Sequence, residues 1–227
     1  MSIEVVLFDL DDTLFAHSEA VAAGITAHSA AVGLRADTVL WVALEEEHYH
    51  RYLHGEIDFR EQRRARARGF VAPEVLSDAE AEAWFEDYLV HYQAAWALHD
   101  DVLPMLDTLL QRVGLITNAE LRFQLGKLDA LAVTQRFEHV VASGEVGVAK
   151  PDARIFLAAA ERFGVDVQRC AYVGDRLHTD AIGAAAAGMV GIWLDRHGRA
   201  SADELRAAGD AGVHVIQSLS QVQAVLA

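Results

Sequence analysis

The chain is short of cysteine, of positive charge and of long apolar runs, and each shortage removes a class of protein. A single cysteine, Cys170, rules out an intrachain disulfide and fits a reducing compartment. Lys and Arg number 19 against 34 Asp and Glu, for a formal net charge of -15. A nucleic-acid footprint needs clustered cations, so DNA or RNA binding is not expected. The same deficit disfavours docking on anionic membranes. No apolar run reaches the roughly 18 residues of a membrane span. The opening "MSIEVVLFDL" lacks the basic start and long apolar stretch of a signal peptide. The expectation is a soluble, cytoplasmic protein with neither nucleic acid nor membrane as partner. Its acidic surface suits a monomer or a weak homodimer. There is no internal repeat and no low-complexity linker.

What is present is a chain able to fold around a substantial core. It has 227 residues, of which 52% are hydrophobic, enough for one large domain or a core domain with a smaller companion. Five short apolar segments read as buried strands: 3–8, 113–116, 139–142, 170–173 and 189–193. Their lack of clean alternation predicts burial on both faces, as in a parallel sheet. A weaker sixth candidate covers 213–216. Helical patterns separate the later strands, for example "DARIFLAAAERFG" before Cys170 and "HTDAIGAAAAG" before Met189. Strands alternating with helices predict an α/β, doubly wound parallel sheet with right-handed crossovers. Residues 16–99 break this rhythm. They hold room for about four helices and no core strand, and are expected to form a small all-helical domain. The expected division is therefore 1–15 and 100–227 as a Rossmann-like core, with 16–99 as the helical insert.

Ligands of open α/β sheets bind beyond the carboxyl ends of the strands. Those ends are polar in this chain. "DLDDT" (Asp9 to Thr13) follows the first strand, and Thr117-Asn118 follows the second. "SGEVGVAK" runs to Lys150 after the third, and Gly174-Asp175-Arg176, with Asp180 beyond, follows the fourth. Any one of these has a plainer reading. Asp and Thr after a strand often cap a helix. A lone Lys is usually a solvated charge. An EF-hand loop starting at Asp9 would need Gly at its sixth position and Glu at its twelfth, where Leu14 and Ala20 stand. "GEVG" is not a dinucleotide fingerprint, and Cys170 reads as core packing.

Taken together and in order, "DLDDT", "TN", "KPDARIF" and "GDRLHTD" resemble the motifs of the haloacid dehalogenase superfamily, in particular its Mg²⁺-dependent phosphatases. The resemblance covers about residues 1–15 and 100–200. It implies a phosphoric monoester hydrolase acting on a small phosphorylated metabolite. By that resemblance Asp9 is the nucleophile that forms an aspartyl-phosphate. Asp11 protonates the leaving oxygen and then activates water. Crowding beside Asp9 pushes its pKa up while the metal pushes it down. The Thr117 hydroxyl and the Asn118 backbone amide hold phosphoryl oxygens, and Lys150 neutralises phosphate and Asp9 together. Asp9, the Asp11 carbonyl and Asp175 bind Mg²⁺, and Asp180 orients metal waters from behind. Asp12 is expected to be a turn or cap residue only.

The physics of phosphoryl transfer agrees with this set. A carboxylate approaching a phosphate dianion meets like-charge repulsion, so a cation must bridge them. Dehalogenases of the superfamily also use an aspartate nucleophile, but without metal, and their first motif typically lacks the second Asp. Asp11 therefore favours phosphate chemistry. A phosphomutase, a 2-haloacid dehalogenase and a non-catalytic phosphate-binding regulator stay open as alternatives. The short interval from Asn118 to Lys150 leaves no room for a second insert. The helical insert is thus expected to act alone as the cap, with hinges near 15–18 and 99–102. Within it His48, His50, Arg51, Arg60, Arg63 and Arg64 are charged candidates for substrate contact. A solvated helix face laced by Glu–Arg pairs is the plainer reading. Trp41, Trp84 and Trp96 read as core of the insert.

Overall fold

The computed structural model describes residues 2–226. They form two compact units, residues 2–16 with 98–226, and His17–Ala97. In chain order the elements are β1 (Val5–Phe8), α1 (His17–Ala31), α2 (Thr38–Leu53), α3 (Phe59–Val71), α4 (Asp78–Ala94), α5 (Val102–Thr108), β2 (Arg112–Thr117), α6 (Leu121–Ala130) and β3 (His139–Ala142). Then come α7 (Ser143–Val146), α8 (Ala153–Phe163), β4 (Cys170–Gly174), α9 (Gly183–Ala186), β5 (Val190–Leu194), α10 (Ala202–Asp210), β6 (His214–Ile216) and α11 (Val222–Val225).

The first unit is a six-stranded sheet in the order β3-β2-β1-β4-β5-β6. Every pairing is parallel, which is the doubly wound α/β sheet expected from the sequence. The weak sixth strand is real and forms the edge. β1 sits at the centre and is wholly buried. Its branched valines fit a strand packed on both faces. The chain winds from β1 to β2 and β3 on one side, then returns to β4 on the other. The order thus reverses at β1, where such sheets bind ligands. Phe8 lies opposite Val173, so β1 and β4 release their next residues side by side.

α8 shows why the crossovers form where they do. Asp152 caps its first turn by accepting the Arg154 amide at 2.9 Å. Gly164, at φ 65°, ends it in the left-handed conformation that glycine adopts most readily. Between them Ile155, Phe156, Ala159 and Phe163 pack on Val5, Leu7, Ile116 and Tyr172. The stretch "HTDAIGAAAAG", expected as one helix, instead opens with a π-helical turn over Leu177–Ile182 and becomes α9 only at Gly183. Such turns are frequent at functional sites, and this one carries Asp180.

The second unit is built of four helices. Asp37 and Asp58 cap α2 and α3, and Ser77 with Glu80 forms a capping box on α4. Its centre is aromatic, with Trp41 against Phe70, Trp84, Phe85 and Tyr88. The basic stretch "REQRRARAR", residues 60–68, makes ion pairs within this unit. Arg60 and Arg64 meet Glu82 at 2.7 and 3.1 Å, Arg68 meets Asp78, and buried Arg66 meets Glu45 at 3.0 Å. Trp96 packs edge-on against Tyr92.

Candidate active site

The β1–β4 ladder runs one residue past β1, since the Asp9 amide donates to the Val173 carbonyl at 2.8 Å. Asp9 is only 7% exposed, and its Oδ1 accepts a hydrogen bond from Lys150 Nζ at 2.6 Å. The same ammonium donates to Asp180 Oδ1 and to the Tyr172 hydroxyl, each at 2.7 Å. An ammonium has three protons, and all three are committed. Tyr172 passes the chain on by donating to the Ile116 carbonyl on β2 at 3.0 Å. Asp180 is fixed from its other oxygen, which accepts the Arg176 amide at 3.0 Å. Gly174 permits this approach, because a Cβ there would stand 2.5 Å from the Asp180 side chain. One oxygen from each of Asp9, Asp175 and Asp180 lies within 4.8 Å of the others.

The electrostatics follow from this crowding. Burial pushes the Asp9 carboxyl up to about 7, with Asp180 and Asp11 adding to the rise and Lys150 opposing it. Asp175 is raised well above the carboxylate range by desolvation first, then by Asp9 and Asp180. Burial works against the Lys150 charge, but Asp180 and Asp9 outweigh it and hold the ammonium above its ordinary value. Desolvation and the same carboxylates raise the Tyr172 hydroxyl, which keeps its proton. Three carboxyl groups crowded together make an oxygen-rich cluster, with one ammonium between two of them. Hard divalent cations take such oxygen ligands, so the donor set fits Mg²⁺.

Asp11 and Thr117 form a second linked group. Asp11 Oδ1 accepts from Lys127 Nζ at 2.5 Å and Oδ2 from Gln124 Nε2 at 2.9 Å. The Gln124 amide also donates to Thr117 Oγ1 at 2.8 Å. Asp12 follows at φ 62°, a left-handed position that Asp tolerates better than most residues. Its amide donates to the Phe15 carbonyl at 2.7 Å, closing the turn. Asn118 uses its side chain on the Lys150 backbone: Oδ1 accepts the Lys150 amide at 2.7 Å and Nδ2 donates to its carbonyl at 3.0 Å. The loop bearing Lys150 is thus clamped to the end of β2.

Sequence reading had picked out Asp9, Asp11, Thr117, Asn118, Lys150, Asp175 and Asp180. The structure gathers Asp9, Lys150, Asp175 and Asp180 into one cluster, ties Asp11 to Thr117, and clamps Asn118 to Lys150. Three polar members were missed. Tyr172 carried a signal, as the one polar side chain in the buried strand "CAYVG". Gln124 and Lys127 carried none, since two polar residues three apart on a helix read as a solvated face.

A family model of haloacid dehalogenase-like hydrolases matches residues 3–188. The chain belongs to that family of hydrolases. Among curated proteins it is 32% identical over 200 residues to the glyceraldehyde 3-phosphate phosphatase of Methanopyrus kandleri, covering 86% of this chain and 84% of the relative. Among solved structures it is similar to the HAD-hydrolase YfnB of Bacillus subtilis bound to magnesium, with a TM-score of 0.81 and 16% identity over 100% of this chain and 99% of that one. It is also similar to the 2-haloacid dehalogenase of Pseudomonas syringae, with a TM-score of 0.68 and 25% identity over 99% and 98% of the two chains.

Proposed function

We propose that this hydrolase is a Mg²⁺-dependent phosphatase that cleaves a small phosphomonoester through an aspartyl-phosphate at Asp9. The observation that carries the reading is the cluster of Asp9, Asp175 and Asp180, with one buried ammonium held between Asp9 and Asp180. Asp9, the Asp11 carbonyl and Asp175 would hold the metal. Bound there, Mg²⁺ supplies positive charge that offsets repulsion between the Asp9 carboxylate and a phosphate dianion.

The remaining work belongs to the chain. An Asp9 carboxylate oxygen bonds to phosphorus as the bond to the leaving oxygen breaks, and Asp11 gives that oxygen a proton. Asp11 then takes a proton from water, whose oxygen attacks phosphorus and releases phosphate, restoring the Asp9 carboxylate. Thr117 Oγ1 accepts from Gln124, so its own proton stays available for a phosphoryl oxygen. The Asn118 backbone amide is assigned a second such donor role. Lys150 holds Asp9 and Asp180 in place, and Asp180 sits behind the metal ligands. The helical unit, inserted in the chain between Asp9 and Thr117, is assigned the choice of substrate. The name of the Methanopyrus relative puts glyceraldehyde 3-phosphate first in a substrate panel. The second carboxylate, Asp11, sets this reading apart from dehalogenation.

The assay is turnover of p-nitrophenyl phosphate with Mg²⁺ and with EDTA, beside a 2-haloacid. The expected result is phosphatase turnover abolished by chelation and by Asp9→Asn, with no halide release. Turnover that survives both treatments would sink the mechanism.

A further inference from the structure

α6 brings two buried polar residues to the two groups that border the reaction. Gln124 and Lys127 are 0% and 1% exposed, three residues apart on one face of the helix. Burying an amide and an ammonium is unfavourable unless both are engaged. Each has a specific partner. The Lys127 ammonium takes Asp11 Oδ1 and stands over the Phe15 and Phe123 rings, 4.6 and 5.3 Å from their centroids. Gln124 Nε2 has two protons and divides them between Asp11 Oδ2 and Thr117 Oγ1. Its orientation is not free. A flipped amide would turn its oxygen onto the Asp11 carboxylate; in the observed orientation that oxygen is buried with no hydrogen-bond partner among the described residues.

We infer that Gln124 and Lys127 are positioning residues that fix the orientation of the Asp11 carboxylate, with Gln124 also aligning the Thr117 hydroxyl. The inference deepens the proposed function and rests on its assignment of Asp11 as the acid. Both Asp11 oxygens are engaged from the α6 side, so the carboxylate plane is set by two bonds rather than by a free rotamer. The Thr117 oxygen, accepting from an amide that can only donate, keeps its own proton for the substrate. A second anchor for the carboxylate matters because small misplacements of a reacting group are costly, about 100-fold for roughly 1 Å.

The test is kcat/KM on two substrates, p-nitrophenyl phosphate and an alkyl phosphomonoester, glyceraldehyde 3-phosphate first. This parameter covers only the steps through departure of the leaving group. p-Nitrophenolate leaves without a proton, whereas an alkoxide does not. The ratio of the two values is also independent of how much of a preparation is folded. Lys127→Met keeps the apolar stem against Phe15 and Phe123 and removes the ammonium. It is expected to lower the alkyl value about tenfold or more relative to the aryl value. Gln124→Met is expected to show the same selective loss, plus a drop common to both substrates from Thr117. Lys127→Arg should restore part of the ratio.

Asp11→Asn is the reference. If it shows the selective loss while Lys127→Met and Gln124→Met lose both substrates in parallel, or neither, the positioning role is wrong and the acid assignment stands. If Asp11→Asn shows no selective loss, the acid assignment fails and takes this inference with it. Failure of both Met variants to fold would make the pair structural and would also overturn the inference.

Discussion

Lys150 shows how much a single side chain can hold. Its three hydrogen bonds join β1, β4 and the turn that carries Asp180. Lys150→Met would leave Asp9 and Asp180 buried without their cation. Breaking a buried pair from one side costs about 3–5 kcal/mol. The variant is expected to lose about that much stability in urea unfolding, and to lose turnover as well. Unchanged stability would mean the ammonium is replaceable, contrary to the geometry. Asp12 is the opposite case at the same scale. Three carboxylates in "DLDDT" look alike in the sequence, yet they separate by backbone and partner. Asp9 faces Lys150, Asp11 faces Gln124 and Lys127, and Asp12 serves a left-handed turn. That separation was legible for Asp9 and Asp11 from the motif and for Asp12 from its position. The partners of Asp11 were not legible, because they come from a helix more than a hundred residues away in the chain.

At the scale of elements, the sheet was the easiest part to read. Val5–Phe8 and Cys170–Gly174 are compact apolar runs that end in polar loops, and burial on both faces leaves little ambiguity. The turn at Leu177–Ile182 was harder. "HTDAIGAAAAG" is alanine-rich and reads as one helix, yet its start is a π-helical turn that carries Asp180, which Lys150 holds from 30 residues away in the chain. Helix packing in the second unit has a pH consequence. His28 on α1 is 1% exposed, edge-on to Trp84 at 4.4 Å, with neither ring nitrogen hydrogen-bonded among the described residues. Burial lowers its pKa from 6.5, with His91 adding and Asp87 opposing. The unfolded chain therefore takes up a proton below 6.5 that the folded chain resists. Stability from this residue is fully present above 6.5 and falls as pH drops, until folded His28 itself protonates. His28→Phe is expected to flatten the fall in thermal midpoint between about pH 7 and about pH 5. An equally steep fall in the variant would locate the acid sensitivity elsewhere.

For the molecule as a whole, net charge and site charge point different ways. The chain carries -15, yet its chemistry is assigned to an anionic substrate. A global field of that sign repels phosphates at long range, and it is screened beyond about 8 Å at physiological salt. Under the proposed mechanism local charge offsets that field, above all the divalent ion assigned to Asp9, the Asp11 carbonyl and Asp175. Among the described residues no helix is long and apolar enough to cross a membrane. The carboxyl edge of the sheet could be read from sequence because polar residues terminate apolar strands there, while residues reaching that edge from a helix face could not.

The central claim is covalent: Asp9 carries the phosphoryl group between the two half-reactions. Rapid acid quenching during turnover of a phosphomonoester, followed by mass spectrometry of the peptide containing "VVLFDLDDTLF", tests it most directly. The account predicts a phosphoryl group on Asp9, labile to hydroxylamine as an acyl phosphate and absent from Asp9→Asn. A phosphoryl group on any other residue, or steady turnover with none trapped and Asp9→Asn still active, would contradict it.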